Sequence, residues 1–453
     1  MKNLFFKYGR KIKKWDDRLL MRSVIFCIVL SMAASAVLLN YVQISVPVSE
    51  SPLVSRIASI LLFSVMLTVA VIGIASRIPG IRENMENRQL LARMLIDNAW
   101  YETDVNSNSK GVQDILYRPH VYFWRRHNII YFPGMYYKKR DDKIFITVKI
   151  DMGKYQERLL HLEAKIETGL DCEIVNVDYR HKWMHYEFIC DVATRRITVE
   201  QMTVENGCMR FMDHIKWDYS RHPHALIVGD TGSGKTLFLL SIIETLLRTG
   251  AVLSIIDAKN ASIAGLERVL PDVHYMIEDI GVCIGKFYDD MMERMAEIKA
   301  KSGDKLENDY RDCGMRPHFL IIDEYVAYLE MFPKKEWEDI VSLMKKIVLL
   351  GRQAGFFLML TCQRPDAKYL PDGMRAQFGL RVALGKLDSN GYTMVFGSSD
   401  KNFVQKDIKG RGYAGLWNGV ITEFYAPYVM PGHSFLKSIK AAYISGETSA
   451  GTP

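Results

Sequence analysis

Two long apolar runs open the chain, and beyond them the hydrophobic pattern changes period several times. From Ser23 to about Val42, and again from Ile57 to about Ala75, the residues are apolar or small, and each run approaches the ~20 residues needed to cross a hydrocarbon core. After a Pro79-Gly80 break, Arg82 to Trp100 returns to a helical pattern through Met85, Leu90, Leu91, Met94 and Leu95. Lys143 to Ile150 alternates as a strand, Gly153 to Leu170 reads as an amphipathic helix through Leu159, Leu162, Ile166 and Leu170, and Cys172–Val177 and Tyr186–Cys190 read as strands. These elements predict a small α+β domain. The rest alternates short apolar runs (Ala225–Val228, Ala251–Ile256, Phe319–Ile322, Phe356–Leu360, Leu380–Leu384) with helical stretches such as Leu237–Leu247 and Ile340–Leu350. That alternation predicts an α/β layer.

Charge orients the apolar runs. Lys2, Lys7, Arg10, Lys11, Lys13, Lys14, Arg18 and Arg22 precede the first run, and Arg77, Arg82, Arg88 and Arg93 follow the second, while the link Gln43 to Arg56 is poor in Lys and Arg. The positive-inside rule therefore predicts two membrane helices with a short external link and both termini in the cytoplasm. A signal peptide or a pair of buried core helices fits the length and flanks less well. The net charge of +7 permits a nucleic-acid or anionic-membrane partner without requiring one. Seven cysteines lack a C-x-x-C or zinc spacing, which predicts reduced thiols rather than a disulfide framework. Between Tyr101 and Arg140, aromatics such as Tyr122, Phe123, Trp124, Tyr136 and Tyr137 alternate with basic residues. Such a stretch can stack and neutralise nucleic acid, but strands of a small β-rich module account for it more simply.

Gly229-Asp230-Thr231-Gly232-Ser233-Gly234-Lys235-Thr236 satisfies G-x-x-x-x-G-K-[ST] at every constrained position, between an apolar strand and a helix. The glycines let backbone N–H groups close around phosphate oxygens, Lys235 would reach the β- and γ-phosphates of ATP, and the Thr236 hydroxyl would hold Mg²⁺. The apolar run at Phe319 ends in Asp323-Glu324. The first carboxylate would help hold Mg²⁺ and the second would orient or deprotonate a water. Ile256 is followed by Asp257-Ala258-Lys259, charged residues at a strand's carboxyl end, where α/β sheets bind ligands. His222-Pro223-His224 reads as a turn rather than a metal motif, because Pro separates the imidazoles.

The run Gly351 to Pro365, with Gly232–Thr236, Ile256–Lys259 and Ile322–Glu324, resembles the FtsK/SpoIIIE family of membrane-anchored, ring-forming DNA translocases, over about half the chain. The resemblance implies a RecA-like motor, a sensor role for Gln363 and an arginine-finger role for Arg352 in a neighbouring subunit's site; Arg381 matches a basic family position. Asp257-Ala258-Lys259 departs from the family's Asp-Pro-Lys. The expected organisation is a basic N-terminus (1–22), two transmembrane helices (23–76), a stalk and linker (77–140), an α+β adaptor (141–200), the motor (201–436) and a C-terminal tail (437–453). Without a winged-helix domain or a four-helix anchor, the pattern looks most like FtsK-type coupling proteins of Gram-positive integrative conjugative elements. That likeness implies a hexameric ring at the cell membrane, DNA as substrate, and a relaxase and conjugation channel as partners. A chromosome translocase and a type VII-like protein-export ATPase are the alternatives.

Overall fold

The computed structural model describes residues 8–45, 53–77, 80–103, 129–301, 307–366, 368–397 and 401–450. Tyr122, Phe123 and Trp124 lie outside them. The chain divides into two compact units, residues 1–172 with 177–190, and residues 173–176 with 191–453.

The first unit begins with strand β1 (Arg10–Lys11), helix α1 (Leu19–Ser45), helix α2 (Leu53–Arg77) and helix α3 (Ile81–Asp97). Among the described residues one helical stretch, Asp16–Val37, is long and apolar enough to cross a membrane, while α2 carries a shorter apolar stretch, Leu61–Ala70. Where α1 and α2 meet, Ser31, Ser35, Ser64 and Thr68 are buried, and the hydroxyls of Ser31 and Thr68 lie 2.5 Å apart. Phe26, Val37, Leu62 and Val69 face outward. Small hydroxyl residues thus line the contact between the two helices, and large apolar residues face away from it.

The sheet of this unit contains β1, β2 (Met135–Arg140), β3 (Lys143–Lys149), β4 (Cys172–Arg180) and β5 (Trp183–Cys190), in the order β1-β2-β3-β5-β4. Two expected boundaries change. The basic N-terminus is not only a flank, because Arg10 and Lys11 pair with Tyr137 and Tyr136 of β2. Nor is the stretch after the apolar runs a free stalk: Arg88 of α3 holds the buried Asp16 at 2.8 Å, and Leu91 and Leu95 are buried. The sheet therefore starts before residue 141. The helix expected over 153–170 is two, Gln156–Leu160 and Glu163–Leu170, and the break frees the Leu159 carbonyl to accept from the Tyr186 hydroxyl at 2.8 Å.

The second unit is built on an eight-stranded sheet. Its members are β6 (Ala225–Gly229), β7 (Val252–Asp257), β8 (Val273–His274), β9 (His318–Asp323), β10 (Phe356–Cys362), β11 (Leu380–Leu384), β12 (Arg411–Gly415) and β13 (Ile421–Tyr425). The order is β8-β7-β9-β10-β6-β11-β12-β13. Pairings from β8 to β11 are parallel and the last two are antiparallel. A parallel sheet is buried on both faces, which explains why these strands read as unbroken apolar runs.

The region expected as a C-terminal tail instead forms helix Phe435–Ala450, packed on the helix Lys235–Arg248 that follows the P-loop. Its inward stripe is Ile439, Ala442 and Gly446, the last two small; a Cβ on Gly446 would lie 2.3 Å from the Leu247 carbonyl oxygen. Small residues allow close approach but leave little hydrophobic signal in the sequence.

His224, fully buried before β6, ties two elements together. Its Nδ1 accepts from the Leu358 amide at 2.9 Å, and its Nε2 lies 3.0 Å from the Val348 carbonyl, so Nε2 carries the proton. Burial lowers its pKa to about 3, against the opposing pull of the Val348 carbonyl. The unfolded chain, with a pKa of about 6.5, takes up a proton over this window that the fold refuses, so stability is lost as pH falls. We predict that His224→Ala, leaving two buried backbone groups unpaired, costs about 3 kcal/mol in thermal unfolding. His224 alone should cost the intact protein about 2 kcal/mol on acidification from pH 7 to 5; a melting temperature unchanged over that interval contradicts the assignment.

Candidate nucleotide site

The P-loop joins buried β6 to the helix Lys235–Arg248, and its shape depends on Gly234, whose φ of +99° lies in the left-handed region. A Cβ there would approach Gly410 to 3.2 Å. The Gly410 amide in turn donates to the Ser233 carbonyl at 2.8 Å, so the turn before β12 braces the loop. Asp230 and Thr231 are exposed, while Ser233 is buried with a hydroxyl that has no partner among the described residues. An open glycine-rich loop followed directly by a helix N-terminus suits an anionic phosphate group.

Parallel β6, β9 and β10 bring three further predicted residues to the same edge. Lys235 Nζ sits 2.8 Å from Glu324 Oε2, and Lys259 Nζ lies 3.6 Å from the same oxygen. Glu324 has φ of +53°. Its amide donates to Thr361 Oγ1 at 3.2 Å, while the Gln363 amide donates to Glu324 Oε1 at 3.1 Å. Gln363 Nε2 reaches Thr231 Oγ1 of the P-loop at 3.5 Å. Thr361 also donates to Asp323 Oδ1. Thus one threonine side chain, at the end of β10, orients both acids of β9. Sequence spacing does not single it out, because its role follows from strand register.

Burial raises the Asp323 pKa, and the Thr361 hydroxyl and Lys235 partly offset that rise. A cation between Thr236 and Asp323 would favour the charged form further. Lys235, Thr236 and Asp323 therefore form a donor set suited to Mg²⁺ and a nucleotide polyphosphate. Asp257 is different: fully buried, it accepts from the amides of Lys259, Ala261, Ile263 and Ala264, so it holds its own turn rather than a ligand.

Arg352 does not join this cluster. It is exposed in the last turn of the helix Lys334–Ala354 and lines a groove of about 460 Å³ with Arg221, His222, Arg381 and Trp417. That groove lies at the amino-terminal end of β6, whereas the P-loop leaves the carboxyl end. At ~3.3 Å per residue the five-residue strand alone separates them by about 13 Å. Arg381 donates to the Val395 and Phe396 carbonyls at 3.5 Å, capping the helix Ser389–Phe396. Of the basic residues near the end of the chain, Arg411 is 1% exposed and paired with Glu423 at 2.7 Å, a structural ion pair. Asp272, His274 and Cys283 gather within 4.8 Å, which spacing did not reveal. His274 and Asp272 already pair at 2.7 Å, and Asp272 accepts from Ser254 at 2.5 Å, so these groups satisfy one another.

A P-loop strand, a Walker acid pair at the end of the parallel strand one removed from it and a lysine between them define a P-loop ATPase. No family model matches the chain. Over 367 residues it is 41% identical to the FtsK domain-containing protein YdcQ of Bacillus subtilis (strain 168), a match covering 81% of this chain and 75% of YdcQ. The chain belongs to the FtsK-domain family. It is also 24% identical over 206 residues to the DNA translocase FtsK of Borreliella burgdorferi, spanning 41% of this chain but only 25% of that protein. Among solved structures, the pCW3 conjugation coupling protein TcpA, in its monomer form with ATPgS, is similar with a TM-score of 0.47 and 20% identity, covering 68% of this chain and 92% of that one. ATPases 2 and 3 of EssC from Geobacillus thermodenitrificans give a TM-score of 0.45 at 18% identity, covering 57% and 52%.

We predict that Glu324→Gln retains nucleotide binding but slows hydrolysis by about 10²-fold or more, while Lys235→Ala loses tight binding; fluorescent-nucleotide titration beside phosphate release checks both. Thr361→Val removes a hydrogen bond that holds the Asp323 carboxyl down. Its proton should then leave at higher pH, moving the acid limb of the kcat profile upward relative to wild type, and an unmoved limb would contradict that role.

Proposed function

We propose that this protein is a membrane-anchored, ATP-driven DNA translocase that acts as the coupling protein of a conjugative system, passing relaxase-bound DNA to a secretion channel. The observation that carries the motor reading is the division of its chemistry between two edges of one sheet. Lys235, Asp323, Glu324 and Gln363 converge at the carboxyl edge, and the exposed Arg352 sits at the other. A complete site then needs Arg352 from the next subunit, which calls for a ring, hexameric by family resemblance.

In this reading Lys235 and the P-loop amides grip the β- and γ-phosphates of ATP, and Thr236 with Asp323 holds Mg²⁺. The bound Mg²⁺ would supply charge neutralisation at the phosphates. When ATP arrives, Lys235 exchanges Glu324 for phosphate oxygens, freeing Glu324 Oε2 to orient the attacking water. Gln363, whose backbone holds Glu324 and whose side chain reaches Thr231, links loss of the γ-phosphate to β10. Relative movement of subunits then drives DNA through phosphate contacts that carry little sequence information. Support for DNA as cargo comes from the FtsK-domain relationship and from relatives named DNA translocases. Support for a two-helix anchor is the buried Ser31–Thr68 contact between helices with apolar outer faces. The conjugative role rests on the motif resemblance and the two-helix, adaptor and motor organisation.

ATP hydrolysis by the detergent-solubilised protein should rise with DNA and vanish in Lys235→Ala. Stimulation by an export-substrate peptide and not by DNA would instead favour the protein-export alternative. Arg352→Ala should lower the rate by about 10³-fold. Mixing Arg352→Ala with Lys235→Ala subunits should restore part of it, since some interfaces would then pair an intact P-loop with an intact Arg352; no recovery would overturn action in trans.

A further inference from the structure

Among the described residues, the sheet of the first unit has one buried face and one open face. Strand alternation puts Tyr137, Ile146 and Phe188 inside and Tyr136, Lys138 and His185 on the open side, with registers Tyr136↔Thr147 and Thr147↔His185 fixing their alignment. Over that open side lies a groove of about 600 Å³. Its floor includes Phe145 and Thr147, one wall carries Lys138 and Arg140, and the opposite wall carries Arg180 and His181.

Aromatic rings gather beside it. Tyr8 stacks on Trp183 with centroids 4.8 Å apart and planes at 27°, and Tyr136 meets Trp183 edge-on at 5.6 Å. None of these three rings is fully buried. The charges are unequal. Glu187 is held by Lys143 at 2.7 Å and Asp178 by Arg180 at 2.5 Å. Lys138 has no acidic partner among the described residues, and Arg140 has only the exposed Asp141 at 3.9 Å. Lys138 and Arg140 alternate with Tyr136 along β2, so ring and cations project on one side.

We propose that this open face is a binding platform for single-stranded nucleic acid, separate from the motor. Bases stack on the Tyr136 and Trp183 rings while Lys138 and Arg140 neutralise the backbone, the combination that single strands use. A duplex keeps its bases stacked inside and gains nothing from the rings. A bilayer offers a plane of headgroups that meets the rims of a groove but not its floor, so charge and shape together favour the single strand. The site requires no ATP hydrolysis and does not rest on the translocation reading.

The test uses the full-length protein in detergent without nucleotide. An oligothymidylate carrying 5-iododeoxyuridine is photocrosslinked and the attached peptides are identified by mass spectrometry, and fluorescence anisotropy measures affinity against salt. We expect crosslinks on the peptides containing Tyr136 or Trp183. Lys138→Ala with Arg140→Ala should flatten the salt slope of this component by about 1.4, the value for two lost phosphate contacts on a single strand. Trp183→Ala should weaken binding about tenfold, with retained Lys235-dependent hydrolysis reporting an intact fold. Lys235→Ala should leave these crosslinks in place. Crosslinks confined to residues 191–453, or an unchanged salt slope in the surface double variant, overturn the proposal. So does loss of binding to phosphatidylserine vesicles in that variant with oligonucleotide binding unchanged, which would assign the face to lipid. Failure of DNA to stimulate hydrolysis would bear on the motor and leave this face untouched.

Discussion

Hydrogen bonding of β6 on both sides, to β10 and β11 and in the same direction as each, is the constraint on which the second unit depends. Parallel pairing from β8 to β11 forces the carboxyl ends of those strands to one edge of the sheet. The Walker acids on β9 and the Thr361–Gln363 turn on β10 are then delivered to the P-loop without any further device. The same constraint sends Arg352, which precedes β10, to the opposite edge. One topological fact thus separates the groups that bind and position a nucleotide from the group suited to complete a neighbour's site.

At the carboxyl edge, the Lys235–Glu324 contact ties the P-loop to the residue that follows β9. Both side chains are nearly buried, and Lys259 adds a second, longer contact to the same Glu324 oxygen. In the proposed cycle, Lys235 would leave this pair to meet phosphate, so binding and release of Glu324 would be one exchange. Thr361 keeps the two acids of β9 apart in function by donating to one side chain and accepting from the next residue's amide. The brace at Gly410 fixes the loop from its other side.

Both units incorporate segments distant in sequence from the elements they pack on. Arg10 and Lys11 extend a sheet more than a hundred residues away in sequence, and the last described helix covers the helix that follows the P-loop. Ser438 on that last helix and His433 just before it converge on the buried Glu244, the former at 2.7 Å and the latter at 3.0 Å. A carboxylate in the interior of the P-loop helix is thereby satisfied by residues nearly two hundred positions later.

The sequence by itself determined the five central strands of the second unit and their order along the chain, the helix after the P-loop, and the nucleotide-binding motif. These depend on local patterns: unbroken apolar runs for strands buried on both faces, glycines where the loop must turn left-handed, acids at a strand end. The boundaries at residues 141 and 437 were not legible, because a two-residue basic strand and a helix faced with Ala and Gly carry almost no hydrophobic signal. Only the tertiary structure decided that Asp257 serves its own turn, that Arg411 is a buried ion-pair partner rather than a surface cation, and that Thr361 links Asp323 to Glu324. It also decided which of Tyr136, Tyr137, Lys138 and Lys139 share a face. Each of these is set by strand register and by long-range packing, and a side chain's partner across a sheet is not encoded in the residues beside it.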